Sequence, residues 1–293
     1  MNNQVGTIVP LMFAKTVTTS DEVTIAVHDL GGTGPPLVIA HATGFHGRAY
    51  APLARLLLDR WHCVAFDERG HGDSGLPQSL DFEWHGFARD VRAVVDGLAL
   101  ERPVAIGHSC GGAALLLAEQ AVPGTFEAIY CYEPVVFPGD DPPDGGIDNP
   151  MSDAARRRRE VFESRAQAFD NYSSKPPLDV LDRVALEIYV EHGFEDLADG
   201  SVRLCCRGDS EARVYSAGFA HDAFRHLAEV ACPVTLACGE KTNSINREHL
   251  ELLAARLSRC QVKVLQGLSH LGPLEDPAAV ADSVMRAFDT PPA

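Results

Sequence analysis

Residues 103–121 read PVAIGHSCGGAALLLAEQA. This stretch opens with a continuously apolar run, turns through Gly107-His108-Ser109-Cys110-Gly111, and continues with alanine and leucine at most positions. The order predicts a buried strand, a sharp turn and a helix, with Ser109 on the turn. A serine held there in a strained backbone conformation needs tiny residues two positions before and after it, and Gly107 and Gly111 meet that need.

Ser109 is therefore a candidate nucleophile. The backbone N–H of Cys110 would lie at a helix N-terminus, where the partial positive charge favours a developing oxyanion. A serine hydroxyl is a weak nucleophile at neutral pH, so a base must come from elsewhere in the chain.

His270 is the favoured base. It lies in GLSHLGP at 267–273, directly after the last predicted strand, and ligand chemistry collects in such loops of open α/β sheets. A histidine next to the serine usually points away from it, and chain order also favours His270 over its rivals, which are His41, His71, His108 and His221.

Other segments alternate in the same way. Short apolar runs occur at 23–30, 36–41, 63–68, 103–109, 127–133, 233–240 and 262–267, and most have no polar alternation. That pattern is typical of strands buried on both faces of a mostly parallel sheet. Helical stripes lie between them, for example Leu250, Leu253 and Leu257. The fold class is therefore α/β, with helices flanking the sheet.

The alternation stops between about Val136 and Glu229. This region begins with FPGDDPPDGGIDNP at 137–150 and continues with helical spacing at Leu181, Val184, Ala185 and Ile188. We interpret 137–229 as a mainly helical cap inserted into a core made of 1–136 and 230–293. Four cap aromatics are candidates for an apolar pocket or for the cap's own core, namely Phe162, Phe169, Tyr189 and Phe194.

The charge balance excludes one class of partner. Asp and Glu outnumber Lys and Arg by 41 to 25, for a net charge of −16, which argues against a nucleic-acid partner that needs a broad basic face. The exception is the run from Arg156 to Arg159. We interpret this run as the solvated side of a helix, with an anion contact as the alternative.

Compartment and cofactors follow from what the sequence lacks. The apolar stretch from Ile8 to Ala14 is short, is interrupted by Pro10 and has no basic segment before it, so we expect neither a signal peptide nor a membrane span, and a cytoplasmic protein. The eight cysteines show no metal spacing and are interpreted as reduced core residues. We expect no metal or organic cofactor, a small-molecule partner, and no membrane partner, while a homodimer is compatible with the sequence.

Three motifs together resemble the α/β-hydrolase superfamily. The Ser109 turn is one; His41-Ala42-Thr43-Gly44 is similar to the oxyanion loop; and the segment 269–277 is similar to the histidine loop. The resemblance spans both predicted core segments, about two thirds of the sequence. It implies a capped serine hydrolase in which the N–H groups of Thr43 and Cys110 form the oxyanion hole.

The acid departs from the usual pattern of the superfamily. In Gly239-Glu240-Lys241-Thr242, a threonine occupies the position of the usual aspartate. Some members, including certain lactonases and haloalkane dehalogenases, instead carry the acid after the strand that follows the nucleophile helix. Glu133 lies there, before Pro134. We favour Glu133, with Glu240 as the alternative acid and a merely hydrogen-bonding Glu133 as a third interpretation.

The resulting hypothesis is a Ser-His-Glu hydrolase that cleaves an ester or lactone of a small apolar substrate through an acyl-enzyme. Carbon–carbon bond hydrolysis, perhydrolysis and acyl transfer use the same groups, so they stay open. Epoxide hydrolysis and dehalogenation through an aspartyl ester are disfavoured because the turn carries Ser109. From a different class, a receptor-like binder without catalysis also stays open.

Overall fold

The fold is described here from a computed structural model that covers residues 14–138 and 148–292. The apolar stretch from Ile8 lies outside these residues except for Ala14. No helix within the described residues is both long enough and apolar enough to cross a membrane.

Strands and helices alternate along most of the described chain. The strands are β1 Ala14–Thr18, β2 Thr24–Gly31, β3 Pro36–Ala40, β4 His62–Phe66, β5 Val104–His108, β6 Ala128–Tyr132, β7 Val161–Phe162, β8 Phe194–Asp196, β9 Val202–Leu204, β10 Val234–Gly239 and β11 Cys260–Leu265. The α-helices are α1 Ala51–Arg55, α2 Trp84–Gly97, α3 Cys110–Ala121, α4 Pro150–Arg156, α5 Arg165–Ser173, α6 Arg183–His192, α7 Gly208–Ala217, α8 Arg247–Ala254, α9 Gly272–Glu275 and α10 Pro277–Asp289. Short 3₁₀ turns occupy Gly47–Tyr50, Leu178–Val180 and Leu227–Glu229.

Eight strands form one sheet in the order β1-β2-β4-β3-β5-β6-β10-β11. The pairs β1–β2 and β2–β4 are antiparallel, and the pairs from β4–β3 to β10–β11 are parallel. This arrangement confirms the predicted α/β class, and all seven predicted strands are present within two residues at each end. The parallel strands end at a common edge, which positions the loops that follow β3, β5, β6, β10 and β11 beside one another.

Strand β1 is an addition to the sequence prediction. It reads AKTVT, and Val17 is its buried residue while Lys15, Thr16 and Thr18 are exposed. An edge strand with one covered face lacks the continuous apolar run that marks the central strands. The apolar pattern therefore did not identify this edge strand.

Two hydrophobic clusters explain why the central strands are apolar throughout. In β3, Val38 and Ala40 belong to one cluster, while Leu37 and Ile39 belong to the other. Successive strand residues point to opposite faces, so helices on both faces require apolar side chains at every position. The eight cysteines are free thiols, six of them buried, in agreement with their interpretation as core residues.

The region predicted as a cap contains helices α4 to α7, as expected, and also a three-stranded antiparallel sheet in the order β7-β9-β8. These strands have two or three residues each, too short to leave a periodic signal in the sequence. The buried stripe of α6 is Ala185, Leu186, Tyr189 and Val190, whereas Val184 is 41% exposed. The sequence prediction therefore placed the apolar stripe of α6 on a face that differs from the face buried in the structure. The division of the chain at 136/137 and 229/230 stays a prediction.

Two leucines of helix α8 offer a matched test of how this helix packs against the hydrophobic core of the sheet. Leu250 is fully buried against the core and Leu252, two residues away, is 55% exposed. We expect Leu250→Ala to lower the free energy of unfolding by about 2–5 kcal/mol, because it removes buried methyl groups and leaves a cavity. Leu252→Ala should stay within about 0.5 kcal/mol. Urea unfolding of both variants checks this, and similar values for the two would contradict the packing of α8.

Candidate active site

Ser109 occupies a strained turn between β5 and α3. Its backbone has φ +54° and ψ −112°, in the left-handed region that ordinary residues avoid. A Cβ on Gly107 would lie 2.5 Å from the Cα of Gly112, and a Cβ on Gly111 would lie 2.4 Å from the carbonyl oxygen of Ala40. Both glycines are therefore sterically required, as the sequence predicts.

The turn is tied to the end of β6. The N–H of Ser109 donates to the Tyr132 carbonyl oxygen at 2.9 Å, and the N–H of Val135 donates to the Ser109 carbonyl oxygen at 3.2 Å. Glu133 lies between these partners, with φ +48° and no exposed surface. The two candidate residues with strained backbones are thus held side by side at the carboxyl edge of the sheet.

Glu133 contacts His270 directly. Its Oε2 lies 2.7 Å from His270 Nδ1 and also accepts the Thr242 hydroxyl at 2.7 Å, while Oε1 accepts the Gly239 N–H at 3.0 Å. A carboxylate is only an acceptor, so Nδ1 carries the hydrogen and Nε2 keeps its lone pair. His270 is therefore fixed in the tautomer that a general base needs.

Glu240, the alternative acid, lies elsewhere. Its side chain is exposed, and its Oε2 accepts the N–H of Gly267 at 3.0 Å. Within the described residues it forms no hydrogen bond or ion pair with His270. Thr242, which replaces the usual aspartate, donates its hydroxyl to the Glu133 carboxylate instead. Sequence reasoning did not assign this role to Thr242, although its position in the motif was the available signal.

His108 links the serine turn to the histidine loop. Its Nε2 lies 2.9 Å from the carbonyl oxygen of His270, and the two ring centroids are 5.1 Å apart. Its Nδ1 lies 2.7 Å from the Tyr50 hydroxyl. Since a carbonyl can only accept, Nε2 is the protonated nitrogen and Nδ1 accepts. Burial, aided by the nearby His270, lowers the pKa of His108 well below its usual value. With both nitrogens engaged, His108 serves as a structural connector.

Another rival histidine, His41, braces the loop after β3. Its Nε2 accepts the N–H of Glu68 at 2.9 Å, so Nδ1 carries the hydrogen that is donated to the Ala42 carbonyl oxygen at 2.8 Å. The two remaining rivals also bond to backbone carbonyls, His71 to Arg69 at 3.0 Å and His221 to Val135 at 2.8 Å. All three rings therefore have structural hydrogen bonds.

The candidate oxyanion donors lie together. Thr43 and Cys110 are both buried, and the Thr43 hydroxyl is close enough to the Cys110 thiol to lower its pKa by a hydrogen bond. Burial and the neighbouring Glu68 carboxyl outweigh that contribution and raise the pKa of Cys110 well above its usual value. Across residues 14–138 and 148–292, neither the Thr43 N–H nor the Cys110 N–H has a hydrogen-bond acceptor. Both donors are available to a ligand oxygen.

The Ser109 hydroxyl itself forms no hydrogen bond in the described part of the chain, and its residue is 7% exposed. The structure thus brings His270 onto Glu133 by a direct bond, and Thr43 beside Cys110. Backbone hydrogen bonds tie the Ser109 turn to the residues on either side of Glu133 and to the loop that carries Thr43. His108 ties the same turn to the His270 loop.

The four aromatics of the predicted cap pack in or against one hydrophobic cluster, which also contains Leu37 and Ile39 of β3. Phe162, Tyr189 and Phe194 are at most 3% exposed, and the rings of Phe162 and Phe194 are 5.7 Å apart. Phe169 is partly buried against the same cluster. Of the four, Tyr189 also contacts the loop after β3, because its hydroxyl donates to the Gly44 carbonyl oxygen at 3.3 Å.

One group of side chains has donor atoms close enough to hold a cation. His28, Asp67 and Asp73 place one potential ligand atom each within 4.8 Å of one another. The Asp67 carboxylate, however, accepts the N–H groups of Gly47 and Asp73 at 2.8 and 2.9 Å. These bonds fit the turn after β4, and the absence of a metal stays an expectation.

Comparison with known proteins identifies the family. The model of the alpha/beta hydrolase family matches residues 37–283. The chain belongs to this family. It is accordingly an enzyme of the hydrolase class, and its relatives include hydrolases, a lipase and methylesterases.

Two relatives and two solved structures illustrate the match of this alpha/beta hydrolase. It is 23% identical to the 2-(acetamidomethylene)succinate hydrolase of Mesorhizobium japonicum over 243 residues. This alignment covers 82% of each chain. It is 34% identical over 113 residues to the human monoglyceride lipase, across 36% of this chain and 37% of the lipase. The crystal structure of an E-2-(acetamidomethylene)succinate hydrolase superposes with a TM-score of 0.78 at 23% identity, covering 95% of this chain and 99% of the other. A peroxisomal alpha-beta-hydrolase of Saccharomyces cerevisiae gives a TM-score of 0.76 at 20% identity, with coverages of 96% and 86%.

The buried histidines make stability dependent on pH. Burial lowers the pKa of His41 to about 3 and the pKa values of His46 and His221 to about 4. The unfolded chain, with histidine pKa near 6.5, binds more protons than the folded chain below that pH. The free energy of unfolding should therefore be highest above pH ~6.5 and fall as the pH drops towards 4. Each histidine contributes about 2 kcal/mol to the loss at pH 5.

Urea unfolding at pH 7 and pH 5 measures this loss. His221→Gln should reduce the pH dependence by about one histidine's share, because the glutamine side chain does not titrate. Equal stability of the wild type at the two pH values would contradict the prediction.

Proposed function

We propose that this chain is a serine hydrolase that cleaves a carboxylic ester or lactone of a small molecule through an acyl-enzyme. Ser109 is the nucleophile, His270 the general base and acid, and Glu133 the acid of the triad. The supporting observation is the bond between the buried Glu133 carboxylate and His270 Nδ1, at the sheet edge that also carries the strained Ser109 turn. His108, the histidine next to Ser109 in the chain, bonds to a backbone carbonyl and to a tyrosine hydroxyl instead of a carboxylate.

The proposed reaction begins with attack of Ser109 Oγ on the carbonyl carbon. His270 Nε2 takes the hydroxyl proton and returns it to the leaving alkoxide. Glu133 stabilises the imidazolium that exists between these two steps, and its burial strengthens the interaction because little water screens it. Water then attacks the acyl-enzyme with His270 as the base and regenerates the free serine.

The tetrahedral intermediates carry a negative oxygen. We assign its two donors to the N–H groups of Thr43 and Cys110, which have no protein acceptor in the described chain. Loss of one such donor costs about 3 kcal/mol of transition-state stabilisation. Cys110 is the first residue of α3, so the helix dipole adds to its effect.

The names of the relatives support hydrolysis of an acyl bond and leave the substrate open. Monoglyceride lipase and protein phosphatase methylesterase are esterases by name. A second candidate substrate is an N-acyl or acidic compound, because the relative that matches over 82% of this chain is named for 2-(acetamidomethylene)succinate. The same triad would serve both substrate classes, since the attacked group is a carbonyl carbon in each.

A fluorophosphonate probe tests the nucleophile. We expect one modification per chain, at Ser109, because the probe mimics the tetrahedral intermediate and needs an activated serine. Peptide mapping by mass spectrometry locates it, and Ser109→Ala should abolish it. If folded wild-type protein stays unlabelled, the receptor-like alternative is favoured and the proposed reaction is lost.

A comparison of two glutamates tests the acid. Glu133→Gln should lower kcat on a p-nitrophenyl ester by about 10³–10⁴-fold, because the amide can donate towards His270 and stabilise the wrong tautomer. Glu240→Gln, at an exposed residue that bonds to Gly267 N–H, should stay within a few-fold of wild type. Thermal midpoints of both variants control for folding. A large loss in Glu240→Gln with a near-normal Glu133→Gln would overturn the assignment.

A further inference from the structure

The arginine run at 156–159 does not behave as a uniform solvated face. Arg156, Arg157 and Arg159 are exposed, as the sequence predicts for the run as a whole. Arg158 differs, because its side chain is only 18% exposed and is directed into the cap. The interpretation of this run as fully solvated is therefore wrong at one position. The reason is that the helix ends at Arg156, so the following residues leave its surface.

The Arg158 guanidinium is held by three side chains from the cap. Its Nη1 donates to Glu211 Oε2 at 2.9 Å, and its Nη2 donates to the hydroxyl groups of Tyr189 at 2.5 Å and Tyr172 at 3.3 Å. Glu211, Tyr172 and Tyr189 are each at most 8% exposed. The guanidinium is thus fixed in orientation before any ligand arrives, which reduces the entropy cost of binding.

This cluster lies against the candidate oxyanion loop. A Cβ on Gly44 would lie 2.7 Å from Glu211 Oε1 and 3.5 Å from Arg158 Nη1. Gly44 follows Thr43 directly, and the same loop contacts the serine turn, since the Gly111 N–H donates to the His41 carbonyl oxygen at 3.0 Å. The loop at 41–44 therefore lies between Arg158 and the Ser109 turn and adjoins both, although Arg158 is distant from Ser109 in the sequence.

Two donors of Arg158 have no protein partner. A guanidinium has five N–H groups, and the three bonds above use one on Nη1 and both on Nη2. Across residues 14–138 and 148–292, the Nε–H and the second Nη1–H have no acceptor, and part of the side chain is exposed. Nη1 lies on the Cδ side of the guanidinium and the Nε–H points to the opposite side, so the two groups do not share an edge. Each can offer one charge-assisted bond to a ligand oxygen.

We propose that Arg158 is a specificity-determining residue that binds a carboxylate of the substrate, close to the carbonyl that Ser109 attacks. This inference rests on the proposed function and narrows its substrate class to carboxylic esters or related acyl compounds that carry a second, free carboxylate. Two features favour an anion over a neutral group. The available donors belong to a permanent cation, and a hydrogen bond between a charged donor and a charged acceptor is stronger than one to a neutral acceptor.

Glu211 limits the strength of this subsite. Its carboxylate already pairs with Arg158, so the subsite supplies hydrogen-bond donors more than net positive charge. We therefore expect discrimination of about 10- to 100-fold, the range for hydrogen bonds to charged groups, and not more. The discrimination should appear in KM, because the carboxylate is bound equally in the ground and transition states.

The test compares mono-p-nitrophenyl esters of succinic and glutaric acid with the same esters whose free carboxylate is capped as a methyl ester, after subtraction of spontaneous hydrolysis. The wild type should have a kcat/KM about 10- to 100-fold higher for at least one free acid than for its capped partner. If the capped esters are hydrolysed and neither free acid is preferred, the inference fails while the proposed function stands. If no ester is hydrolysed and Ser109 stays unlabelled, the proposed function fails.

Variants of Arg158 assign the preference to this residue. Arg158→Gln should remove it mainly by raising KM for the free acid, and Arg158→Lys, which keeps the charge but loses the fork, should retain part of it. Arg157→Gln is the matched control, because Arg157 is the exposed neighbour in the same run, and its preference should equal that of the wild type. Circular dichroism and thermal midpoints verify folding. An Arg158→Lys enzyme that loses activity equally on both members of a pair would overturn the proposal, because that loss indicates a structural role for Arg158.

Discussion

A fully buried carboxylate at the end of β6 constrains the site more than any other single group. Removing a charge from water is expensive, so the Glu133 carboxylate requires hydrogen-bond donors from its surroundings. They come from three places: the Gly239 N–H at the end of β10, the Thr242 hydroxyl in the loop after it, and His270 Nδ1 in the loop after β11. Satisfying this one group joins three segments and fixes the histidine tautomer.

The same carboxylate explains how the site accommodates Thr242. An aspartate at that position would bring a second negative charge next to Glu133, and the two carboxylates would repel each other without solvent to screen them. A threonine supplies a donor in its place. The two positions are thus complementary: an acid after β6 is compatible with a hydroxyl after β10. The backbone of this site is strained, since Glu133 and Ser109 both adopt left-handed φ values.

Contacts from the region predicted as a cap extend to the loop that carries Thr43. Tyr189 donates to Gly44, Glu211 approaches the same glycine, and Arg158 bonds to both of these cap residues. Gly44 has φ +82° and would not tolerate a Cβ next to the Glu211 carboxylate. A substrate group that contacts the cap therefore lies close to the loop expected to stabilise the oxyanion. This coupling supports the proposal that side chains of the predicted cap select the substrate of the proposed triad.

The sequence by itself determined the parts that depend on local pattern. Apolar runs identified seven of the eight strands of the main sheet. Two obligatory glycines identified the turn at Ser109, because steric contacts at a tight turn act between neighbours in the chain. Tertiary structure alone decided the rest. The sequence favoured Glu133 over Glu240, but it could not show the bond from Glu133 to His270, because this contact joins residues 137 positions apart. Likewise, four consecutive arginines look alike in sequence, and only the packing of the cap against Gly44 distinguishes Arg158, since burial is a property of what surrounds a residue.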